Sequence, residues 1–149
     1  MSASVVNALR SIGLAPDALD LVQRAHELAM GPRVDLLEDD HHSAYLHPGR
    51  TVLILVRDVG HAHAESLAIS ALLESESESL RVDSRQIESE IGEQVARALA
   101  EIPAPGDERL VERLVLLPLT SRLAALAERL DQLRHAHLHP DAKWWATIH

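Results

Sequence analysis

The stretch Ala68-Ile69-Ser70-Ala71-Leu72-Leu73-Glu74-Ser75-Glu76-Ser77-Glu78-Ser79-Leu80 decides how this chain is read. An apolar run stops abruptly and becomes alternating Glu and Ser. Residues 68–73 read as a buried helix, because no polar position interrupts the run except Ser70. Residues 74–79 read as the place where that helix reaches solvent and presents carboxylates. Upstream, Thr51–Val59 is apolar except for Arg57 and Asp58. Its propensity would allow a strand, but a lone strand has nothing to pair with in a helical chain. It is therefore read as a second buried helix, ended by Gly60.

Composition points the same way. The 149 residues hold 46% apolar side chains, with no Phe, one Tyr and two Trp. A core of this size must be built from Leu, Ala, Val and Ile, and Leu and Ala favour helices. One domain with a real core is expected, an all-α helical bundle spanning residues 1–149. There is no cysteine, which excludes disulfides and thiolate metal sites. No apolar run approaches the ~20 residues a membrane span needs. No signal peptide is read at the N-terminus, so a cytoplasmic location is the default. The net charge of −9 disfavours nucleic acid as a partner, because phosphate binding depends on Lys and Arg.

The remaining elements follow from periodicity and caps. A short helix is expected over Ala3–Ile12. Pro16 suits the first turn of the next helix, Asp17–Met30, which carries Leu21, Ala25, His26, Leu28 and Ala29 on one side. Gly31-Pro32 stops it. Arg33–Pro48 reads as a charged loop, with Pro48 opening the following helix. Glu65–Leu73 is helical. Asp83 is an N-cap candidate, with Gln86 in the reciprocal position. Ile87, Ile91, Val95 and Leu99 form an apolar stripe. Asp107–Leu117 is helical up to Pro118. Thr120 is placed to cap a last long helix, whose Leu123, Leu126, Ala127, Leu130 and Leu133 make an apolar stripe. Glu128 lies nearly opposite that stripe, pointing to solvent or to a second buried face.

Taken in order, several blocks resemble the HD-domain hydrolases, and most of all the (p)ppGpp hydrolase domain of the RelA/SpoT family. The likeness runs from about residue 17 to 134, leaving 135–149 as a tail. Ala25-His26 fits the helix that carries the family's first metal-ligand His. Tyr45-Leu46-His47-Pro48 is a shortened form of its Y-[IL]-x-H-P loop. Ala71-Leu72-Leu73-Glu74-Ser75-Glu76-Ser77-Glu78-Ser79-Leu80 stands where the family has A-L-L-H-D-V-V-E-D-T. Ile87–Ala96 resembles I-x-x-x-F-G-x-x-V-A, and Leu126–Arg134 resembles L-A-D-[KR]-L-x-N-[LM]-R.

The resemblance implies an HD-fold bundle and a divalent metal, typically Mn²⁺, held by the first His, the His-Asp pair and the later Asp. In this chain those positions are His26, Glu74-Ser75 and Glu128. Of the family's acid/base pair, Glu78 is kept and Ser79 replaces Asp. The basic stretch after the first His has no counterpart in residues 27–31. The family's Asn in the last block is Gln132. An enzyme would also need cations lining the site to stabilise phosphate charge; Arg24, Arg33, Arg57 and Arg134 are the candidates, and Arg24, Tyr45 and Arg134 are read as the substrate-binding residues. Two readings follow. In one, the site has eroded and the protein is a catalytically impaired homologue. It then serves as a binding or regulatory module, without a metal, open to a nucleotide ligand and to homodimerisation. In the other, His26, Glu74 and Glu128 rebuild a metal site for a phosphohydrolase acting on (p)ppGpp or a related nucleotide, with Glu78 acting on a bound water.

Other histidines are read more plainly. His61 and His63, and His135, His137 and His139, fall at expected helix ends, where imidazole favours the dipole and free carbonyls. Asp39-Asp40-His41-His42 reads as a solvated loop. Trp144-Trp145 is expected to cover core or a partner surface.

Overall fold

The computed structural model describes residue 1, residues 3–38 and residues 43–135. The acidic–histidine stretch 39–42 and the tail with His137, His139, Trp144 and Trp145 lie outside the described residues. Among those described there are eight α-helices and no strand, as an all-α bundle requires. None of the helices is long and apolar enough to cross a membrane.

The helices are α1 (Ala3–Ser11), α2 (Pro16–Met30), α3 (Ser43–Leu53), α4 (Ala64–Leu72), α5 (Ser84–Glu90), α6 (Glu93–Glu101), α7 (Leu110–Leu116) and α8 (Leu119–His135). The central helix is α4. Every residue from Ser66 to Leu72 is buried, with α2, α3, α6 and α8 packed around it. Small side chains make this enclosure feasible: Ser66, Ala68, Ser70 and Ala71 let neighbours approach closely, while Leu67 and Ile69 fill the gaps. Truncating Leu67 or Ile69 to Ala would cost roughly 2–5 kcal/mol. Pro16 does occupy the first turn of α2, which buries Val22, Ala25, His26 and Ala29.

Residues 33–38 and 43–48 are helical rather than a loop. A 3₁₀ segment, Gly31–Glu38, follows α2, and α3 has begun by Ser43, so Pro48 lies inside a helix rather than at its start. A proline there removes the N–H that would bond the carbonyl of Ala44. The Arg33 Nε–H supplies the missing donor, at 3.0 Å from Ala44 O. The helix expected over Thr51–Val59 is split: Thr51–Leu53 ends α3, and Ile54–Val59 continues as a π-helical turn. Ile54, Leu55 and Val56 are buried while Arg57, Asp58 and Val59 are exposed. Gly60, at φ +70°, closes the turn with its N–H on Leu55 O, a left-handed conformation that favours glycine.

Asp83 caps α5, accepting from the N–H groups of Arg85 and Gln86. Gln86 does not reciprocate; its amide donates to Glu90. The stripe Ile87–Leu99 runs across two helices, because Gly92 at φ +134° separates α5 from α6. Helix α7 is shorter than expected and buries nothing. Thr120 does not precede α8 but sits in its first turn, where the Arg122 N–H already bonds Pro118 O.

The apolar stripe of α8 is buried only in part: Ala127 is, and its leucines are not. Leu126 and Leu133 are each 51% exposed, and Leu123 and Leu130 rest only partly on the core. The buried residues are Ser121, Ala124, Ala125, Ala127, Glu128, Asp131 and Gln132. Glu128 therefore points into the protein, on the second face.

Candidate functional site

The site forms where α4 ends. Leu73 is extended (φ −68°, ψ 122°), so the chain turns away from the helix and Glu74 swings inward instead of following it to solvent. The Glu/Ser string thus begins with a buried carboxylate. Glu74 Oε1 accepts the backbone N–H groups of Glu76 and Ser77, both at 3.0 Å. Its Oε2 accepts the Arg33 guanidinium at 2.6 Å. Arg81 donates outward to the carbonyls of Glu74 and Ser75 and so holds the turn from the other side.

Arg33 is 1% exposed, which is exceptional for an arginine. Its donors are nonetheless used: besides Glu74, they reach Ala29 O at 2.6 Å, Leu80 O at 3.2 Å and Ala44 O. Burial lowers its pKa, and the charge and hydrogen bond of Glu74 work against that.

A second network lies beside the first. Asp131 of α8 accepts Arg50 in a two-pronged contact, Nε to Oδ1 at 2.7 Å and Nη2 to Oδ2 at 2.8 Å. His47 Nδ1 is 2.7 Å from Asp131 Oδ2, and its Nε2 is 3.3 Å from Leu73 O. Both ring nitrogens thus face acceptors, an arrangement satisfied only by the doubly protonated ring. Burial opposes that charge, but the hydrogen bond and charge of Asp131, with Glu128 and Glu74 behind it, hold the His47 pKa above its usual value. Burial would raise Asp131 too, yet hydrogen bonds from His47 and Arg50 bring it down to about 2.

Glu128 completes the cluster. Its Oε1 accepts the Ser75 N–H at 2.8 Å, while Gln132 Nε2 donates to Ser75 Oγ at 3.0 Å. Burial pushes the Glu128 carboxyl up, against the pull of His47 and the hydrogen bonds of Ser75. Three carboxylates (Glu74, Glu128, Asp131) thus face three cations (Arg33, His47, Arg50). A small cleft opens on to His47, Arg50, Glu74, Asp131, Gln132 and His135.

The residues singled out from sequence are placed as follows. Glu74 and Glu128 join the same buried cluster, one on each side of Ser75. His26 is buried, its Nδ1 without a hydrogen-bond partner among the described residues and its Nε2 packed towards Gly49. Burial, then the N-terminal amine and Arg33, lower its pKa to about 4. Among the described residues no group of three or more His, Asp or Glu side chains could hold a metal ion, so His26, Glu74 and Glu128 do not make one. Glu78 is exposed on a 3₁₀ turn, Glu78–Leu80. Arg24 is exposed, pairing with Asp20 and bonding Glu90 O to tie α2 to α5. Tyr45 is partly buried on α3. Arg134 pairs with Asp58 at 2.7 Å. His61 stacks on His63 and bonds Ser66 Oγ at 2.9 Å.

His47, Arg50 and Asp131 were not singled out as site residues from sequence. A signal existed: Glu128, Asp131, Gln132 and His135 recur at helical spacing on one face of α8. Chemically the arrangement is two ion-pair networks, Arg33–Glu74 and His47–Asp131–Arg50, with the Glu128 carboxyl held beside them by Ser75. Each carboxylate already accepts from a protein N–H, and Arg33 lies on the carboxylate that a metal would need. No family model matches this sequence, and no curated protein or solved structure is found to resemble it.

Proposed function

We propose that this protein is a binding or regulatory module, a catalytically impaired homologue of the HD-type (p)ppGpp hydrolases. The observation that carries the reading is the Arg33–Glu74 ion pair at 2.6 Å, with both side chains buried. The resemblance puts the His of the metal-binding pair at position 74. Here that position carries a carboxylate already neutralised by a guanidinium. A divalent cation brought to Glu74 would meet a fixed positive charge in a region of weak screening, where like-charge repulsion is strong. The neighbouring Glu128 is bound to the Ser75 N–H, and Ser75 itself is a poor ligand.

The test is direct. Purified protein is incubated with (p)ppGpp and Mn²⁺, and pyrophosphate release is followed beside a calorimetric Mn²⁺ titration. No Mn²⁺-dependent release is expected. Release that disappears in Glu74→Gln or His26→Gln would replace this reading with the phosphohydrolase one.

A further inference from the structure

Helix α8 has a leucine row that the described residues cover only in part: Leu123 and Leu130 rest against the core, and Leu119, Leu126 and Leu133 are exposed. Leu119, Leu123, Leu126, Leu130 and Leu133 follow one another at steps of four, three, four and three residues. That is the a/d spacing of a coiled-coil seam, with leucine at every a and d position. At ~100° per residue the five fall within a strip about 80° wide. Leu119, Leu126 and Leu133 are 59%, 51% and 51% exposed. Single exposed leucines are ordinary, but three at seven-residue spacing on one side of one helix make an apolar strip.

The charges beside the row indicate what fits it. The carboxylates of α8, Glu128 and Asp131, are turned inward. The charged side chains left on its outer half are arginines: Arg122 and Arg129 along one edge, in g positions, and Arg134 along the other, in an e position. Arg122 donates to Leu117 O and Arg129 to Gln132 Oε1, and neither forms an ion pair with another described residue. Arg134 is paired with Asp58. A second copy of α8 would set arginine against arginine, g against e in a parallel pair and g against g in an antiparallel one, and like charges there are unfavourable. A single acidic helix laid along the strip sets its carboxylates against the arginines of the rim.

The geometry points to the outer face of α8 as a docking strip for an acidic amphipathic helix of another protein, with apolar residues at a and d and Glu or Asp at e and g. The probe is a synthetic helical peptide with Leu at every a and d position and Glu at every e and g, labelled for fluorescence anisotropy. The same peptide with Lys at e and g is the control. The full chain is expected to bind the Glu peptide at least about tenfold more tightly than the Lys peptide, and more weakly as salt rises. Leu126→Glu, at an exposed position and with an unchanged circular dichroism spectrum, abolishes binding. Arg129→Glu narrows the preference between the two peptides. The assignment is overturned if the Glu peptide does not bind or both peptides bind equally. Self-association of the protein alone that Leu126→Glu removes would overturn it in favour of a second copy. Co-sedimentation with phosphatidylserine vesicles that Leu126→Glu removes would overturn it in favour of a membrane.

Discussion

The two faces of α8 are the reverse of an ordinary amphipathic helix. Its inner face is Ser121, Ala124, Ala125, Glu128, Asp131 and Gln132; its outer face is leucine. The reason lies in what α8 packs against. The end of α4 presents the free N–H of Ser75, and α3 presents His47 and Arg50. Apolar side chains opposite those groups would leave them buried and unpaired, at several kcal/mol in total. Carboxylates and an amide satisfy them, and the small Ala124 and Ala125 allow close approach. An apolar stripe therefore marks a face that favours a partner, without saying whether that partner is the protein's own core.

The comparison breaks first at Asp131. Asp131→Ala leaves the Arg50 guanidinium and a protonated His47 without their shared carboxylate. Destabilisation of roughly 3–5 kcal/mol is expected from urea unfolding, the range for removing one partner of a buried pair. A loss below about 1 kcal/mol would mean that the inner face of α8 is not held by these contacts.

Much of the bundle was legible in the sequence, and the misses share a cause. Helix α4 and the Asp83 cap follow from local pattern. The helical reading of 51–59 follows from the absence of a strand partner. Pro48 was read as the start of a helix because proline usually breaks one. Its actual place depends on Arg33, fifteen residues away in sequence, bonding the orphaned Ala44 carbonyl. Glu74 and Glu128 were legible as members of one site. The partner that claims Glu74 was not, since Arg33 lies 41 residues from it and only the tertiary structure joins them. The stripe of α8 was seen, but burial was assigned to it by default.

His26 sharpens the contrast between buried charge with partners and buried charge without. His47 has acceptors on both nitrogens and its pKa is raised; His26 has no partner at Nδ1 among the described residues, and its pKa falls to about 4. With the folded value below the unfolded 6.5, the unfolded state binds the extra proton between pH 4 and 6.5. The stability contributed by neutral His26 is thus full above pH 6.5 and lost as pH falls towards 4. The stability difference between the wild type and His26→Gln should rise by about 3 kcal/mol across that window, and stay flat above it. A flat difference throughout would show that His26 is solvated.

Glu128 is an intermediate case. It is buried, and burial raises its pKa, but among the described residues its hydrogen bonds come from Ser75, whose N–H lies at 2.8 Å. Glu128→Ala strands the Ser75 N–H, at roughly 1–3 kcal/mol, while relieving the cost of a desolvated carboxyl. The loss should therefore be smaller than for Asp131→Ala, and Glu128→Gln, which keeps an acceptor, smaller again.

The smallest effect belongs to the outer face. Leu133 is half exposed on the leucine row, so Leu133→Gln removes little area that folding had buried. Its effect on stability should stay within about 0.5 kcal/mol, as for surface substitutions generally. If the row were part of this protein's own core, the same change would cost several times more. Urea midpoints of Leu133→Gln and Asp131→Ala, measured side by side, therefore read out which face of α8 the fold uses. The order expected is the opposite of what side-chain hydrophobicity alone would give.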